Sequence, residues 1–154
     1  MITIEDILRP EHVMLDFPPA ATAGEITFSL EQCLKGDSRV LDWEGFLNSL
    51  RKSPSCLIHE AGLGISIPHT RTNNVSSMIM SAGRVKRGVF FPESDEPVHY
   101  IFVIGVPIAR ASDYLRIIGA LTRTFRSPEC EQMLRQATSA GEFLSILSRN
   151  ENAL

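Results

Sequence analysis

No run of Lys or Arg in this sequence is longer than the pair Arg51-Lys52, and its 15 basic residues are outnumbered by 18 acidic ones. A chain with that balance has no electrostatic footprint for a polyanion, so nucleic acid is not an expected partner. Long apolar stretches are missing too. The best, from Tyr100 to Pro107, falls well short of the ~18 residues a membrane span needs and contains Gly105, so no membrane insertion is expected. The opening Met-Ile-Thr-Ile-Glu-Asp carries acid where a secretory leader carries base, and no apolar segment follows. The mature chain is expected to start near Met1 and to stay in the cytoplasm. Cysteine is scarce: Cys33, Cys56 and Cys130 are odd in number and form no CxxC, which suits reduced thiols better than a disulfide frame or a zinc site. Cys33 is expected in the core, and Cys130 in the core or partly exposed on a helix. There is no P-loop and no GxGxxG, so no cofactor is expected. Repeats, linkers and low-complexity tracts are absent. What remains, 154 residues at 44% hydrophobic, fits one domain over residues 1–154 built on a sizeable core.

The pattern along the chain alternates between helix and strand signals. A helical turn is expected over Ile4 to Leu8, then an extended piece over Val13 to Phe17. Thr22 with Glu25 forms a capping-box pattern opening a helix with Ile26, Leu30, Cys33 and Leu34 on one face, stopped at Gly36. Asp42 can cap a second helix bearing Trp43, Phe46, Leu47 and Leu50, with Trp43 expected in the core. The stretch Ser53 to Gly64 reads as loop and leads into a short buried strand, Ile65 to His69. Val75 to Val85 and Pro97 to Val106 are β-rich, the second nearly continuously apolar as a central strand covered on both faces would be. Ser112 can cap a long helix, Ser127-Pro128 can start another, and Ser139 with Glu142 can open the last. The expected fold class is α/β in three layers, a mixed sheet flanked by helices on both faces.

The four histidines are the only side chains whose ordinary pKa lies near neutrality. His12, in an expected surface turn, and His99, inside a strand, are read as structural. His69 differs through its setting, Gly62-Leu-Gly64-Ile-Ser-Ile-Pro68-His69-Thr70-Arg71. Small residues allow close backbone approach, Ile65 and Ile67 anchor a strand, and the imidazole arrives at a sheet end, where ligands of open α/β sheets gather. One ring nitrogen donating to a carbonyl would leave the other free as a nucleophile. His59, Glu60 and His69 could also be read as metal ligands. Their spacing is not HExxH, and no third ligand is obvious, so no metal is expected.

The segment Gly64-Ile-Ser-Ile-Pro-His69-Thr-Arg71 resembles the signature of enzyme IIA domains of the mannitol/fructose class in the phosphoenolpyruvate-dependent phosphotransferase system (PTS), a class that includes nitrogen-regulatory IIA proteins. The likeness extends through the opening Ile4-Glu-Asp-Ile-Leu-Arg-Pro-Glu-His-Val, the capped first helix, the strand from Pro97 to Pro107 and the closing helices. It implies a mixed sheet between helical layers. It also implies that His69 accepts phosphate from an HPr-type phosphocarrier protein and passes it to a IIB domain, or uses it as a regulatory signal. A chain without a fused IIB or membrane segment resembles the regulatory branch more than a sugar transporter component.

Three departures accompany the resemblance. The family carries a second active-site histidine seven residues after the proline that ends the long strand; here that position is Tyr114, followed by Leu115. A phenol in the first turn of the Ser112-capped helix can hydrogen-bond a phosphate but cannot add positive charge. The family's Arg-Glu pair aligns poorly, with Arg51 about two residues out of register, and the family's Thr ten residues before the active histidine corresponds to His59. Thr70 follows the active histidine with a hydroxyl able to reach phosphate, and Arg71 matches a basic residue often found two places after it. Arg51, Arg71 and Arg110 are the cations expected near the site. With the second histidine lost, the alternative is a non-catalytic regulatory or interaction module of the same fold.

Overall fold

The computed structural model describes residues 1–53, 55–60 and 63–149, without the side chains of Ser55, His59 and Glu60. Its strands are β1 (Leu8–Met14), β2 (Ser55–Glu60), β3 (Leu63–Arg71), β4 (Ile79–Val89) and β5 (Val98–Val106), arranged in the order β1-β4-β5-β3-β2. The β1/β4 and β3/β5 pairs are parallel, and the β4/β5 and β2/β3 pairs antiparallel. The sheet is therefore mixed, as expected.

Helices cover both faces. Helix α1 (Ile4–Ile7) precedes β1; α2 (Ala23–Gln32) and α3 (Trp43–Lys52) follow it; α4 (Ala111–Arg126), α5 (Pro128–Gln136) and α6 (Ala140–Arg149) close the chain. Strand β5 explains the layering. Tyr100, Phe102 and Ile104 point into one core with Ile117, Leu121, Phe125, Phe143 and Leu147, whereas Ile101 and Val103 point into a second with Ile26, Leu30, Phe46 and Leu50. A strand apolar at successive positions can satisfy only a site buried on both sides. Close backbone approach is visible at Gly64: a Cβ there would stand 2.5 Å from the Pro97 carbonyl oxygen and 3.0 Å from Val98 Cα.

The capping signals correspond to real helix starts at four places, one of them Asp42, whose Oδ1 accepts from Gly45 N–H at 3.1 Å. The Thr22 hydroxyl accepts from Glu25 N–H while Glu25 Oε1 accepts from Thr22 N–H, and the Ser127 and Ser139 hydroxyls accept from Cys130 and Glu142 N–H. Ser112 does not cap. A 3-10 turn over Ile108–Arg110 runs directly into α4, so the helix begins at Ala111 and Ser112 lies within its first turn.

Other expectations shift. Most of the stretch read as loop after Ser53 is strand β2, an edge strand held by pairing with β3; Pro54 and Gly62 lie outside the described residues. The third β-rich segment runs over β4 rather than from Val75, because Val75 makes only an isolated bridge to Val40. The extended piece begins earlier, at Leu8, since Pro10 is tolerated on an edge strand. His12 is consequently no surface residue: it is 6% exposed in β1, 3.8 Å from Asp37 Oδ2. Trp43 and Cys33 are half-buried rather than core, and Cys130 is half-buried on α5.

Candidate active site

Strand β3 alternates its side chains between the two layers. Ile65 and Ile67 enter the core beneath α4–α6, which puts His69 and Arg71 on that same face and Pro68 and Thr70 on the α2–α3 face. His69 lies two residues from the strand's end, opposite Ile104 of β5, and is half-buried. Its Nδ1 is 2.9 Å from the Ile67 carbonyl oxygen. A carbonyl oxygen can only accept, so Nδ1 must carry the proton, and the neutral ring then bears its lone pair on Nε2.

The Tyr114 ring, on the fourth residue of α4, stacks on the imidazole with centroids 4.7 Å apart and planes 24° from parallel. Its phenol is pushed up to about 12, first by burial and then by Cys56. It is therefore a neutral hydrogen-bonding group at any physiological pH. The first turn of α4 carries the positive end of the helix dipole, offset in part by Asp113.

The expected cations divide. Arg71 is exposed on the His69 face. Arg51 is committed elsewhere: its Nη1 donates to both carboxylate oxygens of Glu31, at 3.2 and 3.1 Å, on the opposite face. There it lines a groove of about 450 Å³ with Phe28, Glu31, Pro68 and Phe91. Arg110 lies 3.9 Å from Asp113 Oδ2, beside a hollow lined by Met1, Asp6 and Ser76. Thr70 is 2% exposed, with its hydroxyl 3.0 Å from that of Ser53 beneath α3, so it points away from His69. His59 pairs with Gly64 through its backbone in β2, and its side chain lies outside the described residues, as does that of Glu60. Among the described residues, no three His, Cys, Asp or Glu side chains gather as metal ligands. His99 is a half-buried strand residue whose imidazole pKa is lowered by burial and by Arg135.

Sequence reasoning gave no role to one neighbour of the site, Cys56. Cys56, opposite Ile67 in β2, lies beside the Tyr114 phenol, and reading its strand as loop hid it. Ile108 and Leu115 flank Tyr114 in sequence and are 54% and 68% exposed. The sequence pattern puts Leu115 on one helix face with Ile118, Leu121 and Phe125, but the buried face of α4 is made by Ile117, Ala120, Leu121, Thr124 and Phe125, and Leu115 points outward.

Residues 39–150 match the family model for the phosphoenolpyruvate-dependent sugar phosphotransferase system, EIIA 2. The chain belongs to this EIIA family. It is 31% identical over 146 residues to the PTS system fructose-specific EIIA component of Haloferax volcanii, covering 94% of each chain. It is 31% identical over 87 residues to the mannitol-specific cryptic phosphotransferase enzyme IIA component of Escherichia coli K12, covering 56% of this chain and 58% of that one. The crystal structure of nitrogen regulatory protein IIA-Ntr from Neisseria meningitidis superposes with a TM-score of 0.77 at 25% identity, covering 94% of this chain and 98% of the other. The same EIIA fold occurs in the E. coli mannitol IIA solved in complex with phosphorylated IIB, with a TM-score of 0.68 at 20% identity over 93% of this chain and 99% of that one. No helix among the described residues is long and apolar enough to cross a membrane.

Proposed function

We propose that residues 1–154 act as one phosphoryl-carrier unit of a phosphotransferase system, with His69 as the acceptor. The observation that carries this reading is the 2.9 Å contact of His69 Nδ1 with the Ile67 carbonyl, which leaves Nε2 as the nucleophile. The donor is an HPr-type protein bearing a phosphohistidine. The Nε2 lone pair attacks its phosphorus in line; the new N–P bond forms as the donor's N–P bond breaks, and the donor imidazole leaves with the bonding pair. The Nδ1–H stays on the Ile67 carbonyl and holds the ring through the transfer. In the second half-reaction a IIB cysteine, or a regulatory acceptor, takes the phosphoryl group in the same manner. Positioning and electrostatics are sufficient for this chemistry, so neither metal nor nucleotide is needed. The fructose- and mannitol-specific names of the relatives and the phosphorylated IIB partner of the mannitol IIA support the reading, and cytoplasmic location follows from it.

The test is direct. The protein is incubated with phosphoenolpyruvate, enzyme I and HPr-type carriers of its own organism, and intact mass is followed. An acid-labile adduct of one phosphoryl group that is lost in His69→Ala is the expected result. A neutral Tyr114 in place of the second histidine favours one other reading, an interaction module that binds partners without transfer. Absence of an adduct with every cognate carrier would establish that reading instead.

A further inference from the structure

The end of β3 that carries His69 is paired along one edge. Among the described residues, pairing with β2 stops at Ser55 and Pro68, whereas His69, Thr70 and Arg71 pair with Ile104, Gly105 and Val106 of β5. The contact of His69 Nδ1 with the Ile67 carbonyl closes across two residues of this same strand, so it depends on the backbone path between them. A strand end with one ladder in place of two opens at lower cost, and any change in its path moves the ring.

A second tie comes from the face opposite the imidazole. Thr70 is 2% exposed, and its Oγ1 lies 3.0 Å from the Oγ of Ser53, the residue that ends α3. Ser53 Oγ also lies 2.8 Å from the Ser49 carbonyl oxygen. A carbonyl can only accept and a serine hydroxyl has one proton, so that proton goes to Ser49, and Ser53 must accept from Thr70. The direction of the relay is thereby fixed: Thr70 O–H to the Ser53 oxygen, Ser53 O–H to the Ser49 carbonyl. Two residues on, Thr72 is 5% exposed with its Oγ1 3.4 Å from Ser49 Oγ, a longer contact. Four helical residues rise about 6 Å and two strand residues about 6.6 Å, so Ser53 and Ser49 meet Thr70 and Thr72 in step, helix and strand running in opposite directions.

We propose that Thr70 is a positioning residue for His69. Through Ser53 it ties the singly paired strand end to α3 and holds the backbone in the path that keeps Nδ1 on the Ile67 carbonyl and Nε2 free. The proposal rests on the carrier reading above. Thr70 acts through the strand and touches no phosphate, because its hydroxyl is turned to the other face of the sheet.

Thr70→Val keeps the branched shape and removes the donor, while Ser53 still donates to Ser49. With the HPr-type donor, the maximal rate of phosphoryl acceptance should fall about tenfold and the KM for the donor stay within about twofold, because the face that meets the donor is untouched. Thr70→Ser should restore the parent rate. Ser53→Ala should reproduce the loss, with little added in the double variant, as expected of two groups in one hydrogen bond. Imidazole nitrogen NMR of the unphosphorylated protein supplies a readout independent of transfer: the parent should show His69 as the Nδ1–H tautomer, and Thr70→Val a mixture with the Nε2–H form. Thermal melts check each fold, and if Thr70→Val does not fold, Ser53→Ala at its half-buried position carries the test. A rate and tautomer unchanged in Thr70→Val would overturn the proposal, as would a slower rate with the tautomer unchanged. A parent that takes up no phosphate would overturn the carrier reading instead, and the tautomer comparison alone would then decide whether Thr70 sets the ring.

Discussion

Tyr114→His should convert the neutral stacking partner of His69 into one able to carry charge, and its effect can be sized from the geometry. A phosphohistidine carries close to two negative charges. One positive charge placed at the present ring separation of 4.7 Å from one unit of that charge is worth about 0.9 kcal/mol in water and about 3.5 kcal/mol at an effective dielectric near 20. These energies correspond to roughly fourfold and several-hundredfold in an equilibrium constant, and half-exposure of His69 selects the lower end. The assay is the equilibrium partition of phosphoryl groups between an HPr-type donor and the protein, read by intact mass from pH 8 to pH 5.5. The variant should shift the partition toward the IIA protein by about four- to tenfold, with the gain growing as pH falls through the ordinary histidine range near 6.5. Tyr114→Phe keeps the stacked ring and changes no charge, so it should stay within about twofold of the parent; a larger loss would show that the phenol hydroxyl contacts the phosphate. A partition unchanged in Tyr114→His, with the new imidazole shown by NMR to be protonated, would refute the assignment of this position to phosphate stabilisation.

Gly64→Ala should cost about 1–3 kcal/mol, because the added carbon meets the backbone of Pro97 and Val98 and cannot be relieved by a side-chain rotation. At this chain length that lowers Tm by about 2–4 °C per kcal/mol, whereas Gly141→Ala, with nothing within 4 Å in α6, should be neutral or slightly stabilising by the same thermal melt. Stability should fall on acidification in two windows, measured by urea unfolding between pH 8 and pH 2.5. Burial lowers the pKa of His12 and His99, so their contribution is present above the ordinary 6.5 and lost as pH falls through their folded values. The Arg39 side chain holds Asp37 far below its ordinary 3.8, and that contribution is lost only in the second, more acidic window. Arg51→Ala should reduce stability more than phosphoryl acceptance, because it leaves the buried Glu31 carboxylate unpaired while removing nothing from the His69 face; comparing melts with the adduct assay separates the two.

The elements legible in the sequence are those whose determinants are local. Thr22 and Glu25, three residues apart, bond each other's backbone N–H groups, and Ser127 before Pro128 caps as its residue type predicts. The unbroken apolar run of β5 is likewise a local record of burial on two sides. Strand β2 was invisible because an edge strand is defined by the partner it pairs with. Its own composition around the Pro54 and Gly62 positions reads as turn, and only the register Cys56 to Ile67 makes it a strand. His12 was misplaced for a related reason: in β1 it stands beside Asp37, which lies far along the chain. The start of α4 failed differently. Ser112 has the right chemistry, but a 3-10 turn had already set the helical path at Ala111.

The same distinction governs the candidate site. His69 stood out because strand period, proline and glycine within one short segment fix where it points. The charges meant to serve it did not stand out, because an arginine's reach is decided by whichever carboxylate is nearest in space. Arg51 is expected near the site only through its near-register with the family's Arg-Glu pair, yet Glu31, twenty positions earlier, claims it across α2 and α3. Arg110 is claimed by Asp113 one turn on. Arg71 is left as the expected cation on the face of His69, with the N-terminus of α4 opposed by Asp113. Two negative charges placed there exceed what these groups can offset. A phosphorylated His69 must therefore draw further stabilisation from a hydrogen bond of the neutral Tyr114 phenol or from cations of the docked partner. Exclusion of water by a docked partner would strengthen each remaining contact to the phosphate. In this arrangement the missing histidine shifts part of the charge compensation from the protein itself to the complex.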